Sequence, residues 1–288
     1  MLPPLVHELT AGMRREKRQQ GRRAAAAFVA GLAFAALAPA LAFGAGGGAS
    51  LQPSAAPKRL NGALTEISGL APAGPNSVYA HNDETATVYE LDVATGRIVR
   101  SFSLGRPALV GDFEAIAVGG DRLALITSKG VIHEARIESR RRSLAVTRFD
   151  AGLGKACEVE GFAPTAAEDG YFIACKQAGS RLVIHQWSRL GGLSKKAIDI
   201  KLDGRVPNPK AFRAADVARD ARTGNLLVLD SAAGAILEVT SAGGKVRYWR
   251  LSGDHPQAEG LAIMPDGRLV VGDESKASGG FLTLYPAR

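Results

Sequence analysis

The chain has few of the side chains that most enzymes use for covalent or soft-metal chemistry. Cysteine occurs twice and histidine five times in 288 residues. There is no Ser-His-Asp order, no phosphate-binding P-loop and no H-E-x-x-H zinc motif. Basic charge is also scarcer in the body of the chain than the formal net charge of +8 suggests. Residues 1–23 hold six bases (Arg14, Arg15, Lys17, Arg18, Arg22, Arg23) and two acids (Glu8, Glu16), a net of +4, so everything after Arg23 shares the other +4. Nucleic-acid binding wants its basic patch on the folded domain itself. Nucleic acid is therefore not an expected partner.

The leader has its own logic. Ala24 to Ala45 is an apolar run without a charge, preceded by the basic segment and containing Ala40-Leu41-Ala42 as an A-x-A site. Residues 1–45 thus read as a secretory signal peptide, or as an uncleaved N-terminal membrane anchor, since a run of this length spans a bilayer of ~30 Å. Met13 as the start would give the signal a conventional length. No cysteine lies near the end of the run, which argues against a lipoprotein anchor. Either reading places the domain outside the cytoplasm, in the periplasm or its equivalent, with membrane contact only through this segment. Residues 46–57 are Gly, Ala, Ser and Pro for the most part and read as a flexible linker.

From Lys58 the pattern is one of short strands, and one frame recurs five times. It reads EISGLA from Glu66, DFEAIA from Asp112, EVEGFA from Glu158, RAADVA from Arg213 and QAEGLA from Gln257. Its third position is Ser68, Glu114, Glu160, Ala215 and Glu259, giving steps of 46, 46, 55 and 44 residues. Repeats of this length, each with several alternating strands, predict an all-β propeller of four-stranded blades over residues 58–288. Five blades fit the five frames, with six as the alternative because the 55-residue step has slack. The last repeat lacks a strand, and Arg59–Leu64 precedes the first frame without a blade. That segment is expected to add as the outer strand of blade five, because an open sheet edge invites pairing with other chains.

In such a ring the first strand of each blade lines the axis, so Glu114, Glu160 and Glu259 are expected to converge at one mouth. Glu66, Asp112 and Glu158 extend the set, and the second strands end in Asp83, Asp230 and Asp273 at the same rim. Carboxylates brought so close must be protonated, paired with a base or bound to a cation. Hard oxygen donors without His or Cys at the frame position favour calcium over zinc or copper. The competing reading is structural: the three glutamates accept backbone N–H bonds from neighbouring blades and seal the ring. His81, beside Asn82-Asp83, is either a catalytic base or a packed, hydrogen-bonded residue. Arg140-Arg141-Arg142, with Arg136 and Arg148 nearby, is either a solvated hairpin turn on the end opposite the acids or a contact for an anionic surface. Cys157 and Cys175 are symmetric about residue 166, a hairpin register that places them opposite one another, and export favours their oxidation to a disulfide.

The motifs EISGLA at 66–71, YAHND at 79–83, GDFEAIAV at 111–118, CEVEGFAP at 157–164, ACK at 174–176 and HPQAEGLAI at 255–263 resemble the SdiA-regulated family of exported β-propellers, which includes calcium-regulated, phytase-like members. The likeness runs in order from about Thr65 to Tyr285. It implies a periplasmic propeller that binds calcium; the family name records gene regulation and not DNA binding. Ala214-Ala215 departs from the Ser-Asp pair of relatives, which puts a ligand from blade four in doubt. The first functional expectation is a non-catalytic or regulatory propeller whose partner is a divalent cation. The alternatives are a metal-dependent hydrolase acting on a small phosphorylated or lactone ligand, and a partner-binding scaffold that uses the rim loops.

Overall fold

The computed structural model describes residues 50–176, 179–275 and 279–288. The leader expected over residues 1–45 lies outside the described residues. Every repeat became one sheet, and the alternation of apolar and polar residues set which face of each strand is buried. Blade one is Ile67–Pro72, Ser77–Asn82, Thr87–Asp92 and Ile98–Leu104. Blade two is Phe113–Gly119, Arg122–Thr127, Val131–Arg136 and Val146–Asp150. Blade three is Val159–Pro164, Gly170–Cys175, Arg181–Ser188 and Ile198–Lys201, with a short Gly192–Leu193 strand beside the third. Blade four is Ala214–Arg219, Leu226–Asp230, Ala235–Val239 and Lys245–Leu251, and blade five contributes Ala258–Ile263, Leu269–Asp273 and Phe281–Tyr285. The first strands contact one another in a closed cycle, one to two and on through five back to one. Five blades, not six, form the ring.

The core is laid between the blades rather than within them. Each of its five apolar clusters fills one seam; Phe162, Tyr171 and Trp187, for example, pack with Ala115 and Ile126 across the seam of blades two and three. Small residues near the axis let the blades approach this closely. A Cβ on Gly161 would stand 2.6 Å from the Val217 nitrogen, and one on Gly260 would stand 3.1 Å from the carbonyl carbon of Gly69. The glycine in EGFA and EGLA is thus a ring-closure requirement.

Closure takes the expected route with a shorter strand. Lys58–Arg59 pairs antiparallel with Phe281–Tyr285 as the outer strand of blade five, opposite Leu282 and Phe281. The rest of the Arg59–Leu64 segment is not strand. Asn61 caps a 3-10 turn over Gly62–Leu64, and Leu60 and Leu64 are buried in the seam between blades five and one. The 46–57 stretch also differs from a free tether. Ser50–Leu51 runs parallel to the outer strand of blade four, and the Ser54 N–H donates to the Leu284 carbonyl. The exposed edge of blade four supplied the unpaired backbone groups that captured it.

Candidate functional site: the acidic axial mouth

The inner strand of every blade carries a β-bulge at the same place. The register shifts between Ile67 and Gly69, Phe113 and Ala115, Val159 and Gly161, Ala214 and Asp216, and Ala258 and Gly260. The residue skipped is Ser68, Glu114, Glu160, Ala215 or Glu259, the recurring frame position. A bulged residue leaves the ladder and its side chain is re-aimed. Here that brings Glu114, Glu160 and Glu259 close enough at the axis to perturb one another.

Burial comes first and repulsion second in setting their protonation. The Glu114 carboxyl is pushed up to about 8 by desolvation, then by the charges of Glu160 and Asp112, against the opposing pull of Lys176. Glu259 is pushed up to about 7 by burial, with Glu160 and Glu274 adding to the effect and a hydrogen bond from Gln257 opposing it. Glu160 is raised mainly by burial and held back by Lys176, whose ammonium stands 2.7 Å from Glu160 and 3.0 Å from Glu158. Lys176 was visible in the sequence only as the end of the ACK motif. It follows Cys175 directly, and its N–H donates to the Glu158 carbonyl at 2.7 Å. The mouth therefore has two sides. On the blade-three side a lysine balances the acids. On the side of blades one and two, Asp83 is raised by burial and by the nearby charges of Glu66 and Asp112, against backbone N–H bonds from Asp83 and Glu84 to its carboxyl, and its Oδ1 is buried without a hydrogen-bond partner among the described residues.

Two of the expected rim acids point elsewhere. Asp230 is buried and accepts hydrogen bonds from the Arg213 N–H at 3.0 Å and the Tyr248 hydroxyl at 2.9 Å, within blade four. Asp273 is fully buried and bonds His255 Nδ1 at 2.8 Å, while the other ring nitrogen faces the Tyr285 hydroxyl. Strand ends here turn their side chains into the blade, where a tyrosine or histidine is waiting, so neither carboxylate joins the mouth. His81 takes the packed, hydrogen-bonded place: it is fully buried, burial keeps its ring neutral by lowering it to about 4, and Nδ1 lies 2.8 Å from the Asn82 carbonyl oxygen.

The sealing role expected of the glutamates belongs to another residue. Asp216, next to the bulged Ala215, is 1% exposed. It accepts backbone N–H bonds from Val217 at 2.7 Å, from Leu261 of blade five at 2.8 Å and from Phe162 of blade three. Burial holds its carboxyl well above the ordinary range in spite of these donors. Blade four thus supplies an axial seal where the other frames carry Gly or Ala, and it supplies no mouth ligand. The Glu114 carboxyl, by contrast, makes no hydrogen bond to a described residue and is set by burial and neighbouring charges. Among the described residues no three mouth carboxylates bring even one oxygen each within 4.8 Å of one another.

Cys157 and Cys175 are joined in a disulfide, with Cα atoms 5.1 Å apart. Their register differs from the symmetric one: the hairpin pairs Pro164 with Tyr171, so even after the bulge at Glu160 takes up one residue Cys175 lies opposite Val159, and Cys157 closes a short 3-10 turn. The bridge is made across that offset. It is consistent with an extracytoplasmic protein.

No curated protein matches the chain in sequence. Among solved structures, glutaminyl cyclase of Myxococcus xanthus superposes with a TM-score of 0.54 at 16% identity, over 82% of this chain and 97% of the other. Regucalcin of Agrobacterium tumefaciens, a calcium-binding protein, gives 0.52 at 14% identity, over 83% and 97%. A luciferin-regenerating enzyme gives 0.51 at 11%, over 81% and 96%. At these identities the likeness is one of fold. The family model for SdiA-regulated proteins matches residues 51–276, which takes in all five frames and both cysteines, and the chain belongs to the SdiA-regulated family.

Proposed function

We propose that this is an exported propeller whose axial mouth takes up a divalent cation, calcium in preference to magnesium, in exchange for protons. The observation that carries the reading is the set of five aligned bulges, three of which turn a glutamate into one partly desolvated mouth. The donors are hard carboxylate oxygens; the buried Oδ1 of Asp83 has no hydrogen-bond partner among the described residues, the Asp83 charge raises Glu114, and neither residue is ion-paired to Lys176, which fits a cation held between them. The residues that would hold the ion are Glu114 and Asp83, with Glu259 and Glu160 completing its surroundings. Calcium, larger and looser in its coordination geometry, suits such a site better than magnesium. Lys176 acts as an internal competitor on Glu160.

Export through residues 1–45 belongs to the same reading, supported by the basic and apolar leader and by the disulfide. One feature favours hydrolysis of a phosphoester or lactone as the second reading. Burial raises Glu259 as well as Glu114, so a mouth acid that does not ligate the cation would keep its proton and would serve as the general acid where the cation polarises a substrate oxygen.

The test is calorimetric titration of calcium at pH 6.5 and 8.5, with wild type and Lys176→Met. Affinity should rise with pH as Glu114 and Glu259 shed their protons, and the variant should bind more tightly at both values. Absence of calcium binding at either pH, or binding indifferent to both pH and Lys176, would remove the proposal.

A further inference from the structure

We propose that a recess at the outer edge of the seam between blades one and two binds a phosphate-type oxyanion. The Arg140-Arg141-Arg142 run reads in sequence as a solvated turn on the end opposite the acids. The fold uses it differently. After the turn, Ser143–Leu144 adds as a parallel strand outside Ile98–Leu104 of blade one, opposite Ser103 and Leu104. The Ser103 N–H donates to the Arg142 carbonyl at 3.0 Å, and the Gly105 N–H donates to the Leu144 carbonyl at 2.9 Å. The Ser143 and Ser103 hydroxyls both donate to the Gly105 carbonyl, at 2.8 and 2.9 Å. Backbone pairing therefore fixes a strap of blade two onto blade one.

That strap brings together guanidinium groups from segments far apart in the chain. Arg106 of blade one, with Arg141 and Arg142 of the strap, lines a recess of about 530 Å³ together with Ser103 and Ser143. No acid lines it. Arg141 is steered by Glu138 at 2.8 Å, whereas Arg106 and Arg142 form no ion pair with a described residue. Arg142 on the pinned strap and Arg106 on blade one, with no ion pair to a described residue, form with Arg141 a site that an oxyanion completes. A planar guanidinium offers two parallel N–H donors to a tetrahedral or carboxylate oxyanion, and a pair of them matches phosphate in both charge and geometry. The opposite sign of the axial mouth makes this a separate site with a separate ligand. Two sources carry the same chemistry: a small phosphate or phosphate ester, and the headgroup of an anionic lipid.

The experiment uses the full chain at about 0.15 M ionic strength, where loose surface attraction is largely screened. Inorganic phosphate and pyrophosphate are titrated calorimetrically into wild type, Arg106→Ala/Arg142→Ala and Arg97→Ala. Arg97 is an exposed arginine of blade one outside the recess, and serves as the control. In parallel, co-sedimentation with phosphatidylglycerol and phosphatidylcholine vesicles is compared across the same proteins, so that the effect of the leader cancels. We expect saturable one-to-one binding that weakens at least about tenfold in the double variant, the loss of a charged hydrogen bond, and is unchanged in Arg97→Ala. Saturation by the free anions assigns a small phosphate ligand. Selective loss of binding to the anionic vesicles in the double variant, without free-anion binding, assigns the headgroup. Thermal midpoints equal to wild type confirm that the variants are folded. No saturable binding in either arm, or an equal loss in Arg97→Ala, overturns the proposal.

Discussion

Replacing Glu114 by Gln should flatten the dependence of stability on pH. In the folded protein the carboxyl is pushed up to about 8 from an ordinary 4.5, by burial and by Glu160 and Asp112. The folded state therefore holds this proton after the unfolded state has lost it. Its favourable contribution is complete below about 4.5 and is lost as pH rises through about 8. Full conversion at about 1.4 kcal/mol per pH unit gives a loss near 5 kcal/mol. Water reaches the half-buried mouth and screens the repulsion, so roughly a third of that, about 1.5 kcal/mol, is expected. For a domain of this size it corresponds to a midpoint about 3–6 °C lower at pH 9 than at pH 5. The assay is chemical and thermal denaturation at pH 5, 7 and 9 with a chelator present, for wild type and Glu114→Gln. The variant should match wild type at pH 5 and exceed it at pH 9. Excess calcium should lift wild type at pH 9 and leave the variant with a smaller gain. Parallel stability curves, or a variant weaker at every pH, would refute both the repulsion and the cation that relieves it.

Asp216→Ala should cost at least about 3 kcal/mol, because it strands the buried N–H groups of Val217, Leu261 and Phe162; a variant with an unchanged denaturation midpoint would show that the axis needs no seal. Thiol titration of unfolded, unreduced protein should find no reactive cysteine, and Cys157→Ser/Cys175→Ser should lose less than the ~3 kcal/mol of the chain-entropy model, since strand pairing already restrains the loop. Two titratable thiols, or a larger loss, would contradict this. Deleting residues 46–57 should lower the midpoint by a few degrees while unfolding stays cooperative, since it removes the Ser50–Leu51 pairing to blade four. Deleting through Leu64 also takes the closing strand and the buried Leu60 and Leu64, and should abolish cooperative unfolding. An unchanged midpoint in the longer deletion would disprove closure by Lys58–Arg59.

By itself the sequence determined the ring, and the reason is periodicity. A frame repeated every 44 to 55 residues, with alternation inside each copy, allows few arrangements other than one blade per copy. The glutamates of three frames were legible for the same reason, since equivalent positions in a ring must meet at its axis; the spare N-terminal strand was legible from the strand that the last repeat lacks, and the cysteine pair from the hairpin that it flanks. What periodicity does not encode is the direction of a side chain at a strand end. The bulge at each frame position, the inward turn of Asp230 and Asp273, and the two-residue offset of Cys157 depend on local backbone departures that alternation does not record. Lys176 gave no signal as a lone base after a cysteine, yet its reach across Glu158 and Glu160 decides how the mouth is charged. Asp216 gave no signal of its own within RAADVA, and only the flanking blades, by supplying their N–H groups to it, made it a seal. The arginine run looked like a solvated turn because the edge that captures its strap lies in another blade, some forty residues earlier. Edge capture and charge pairing join residues that only the closed ring makes neighbours, so only the tertiary structure decided them.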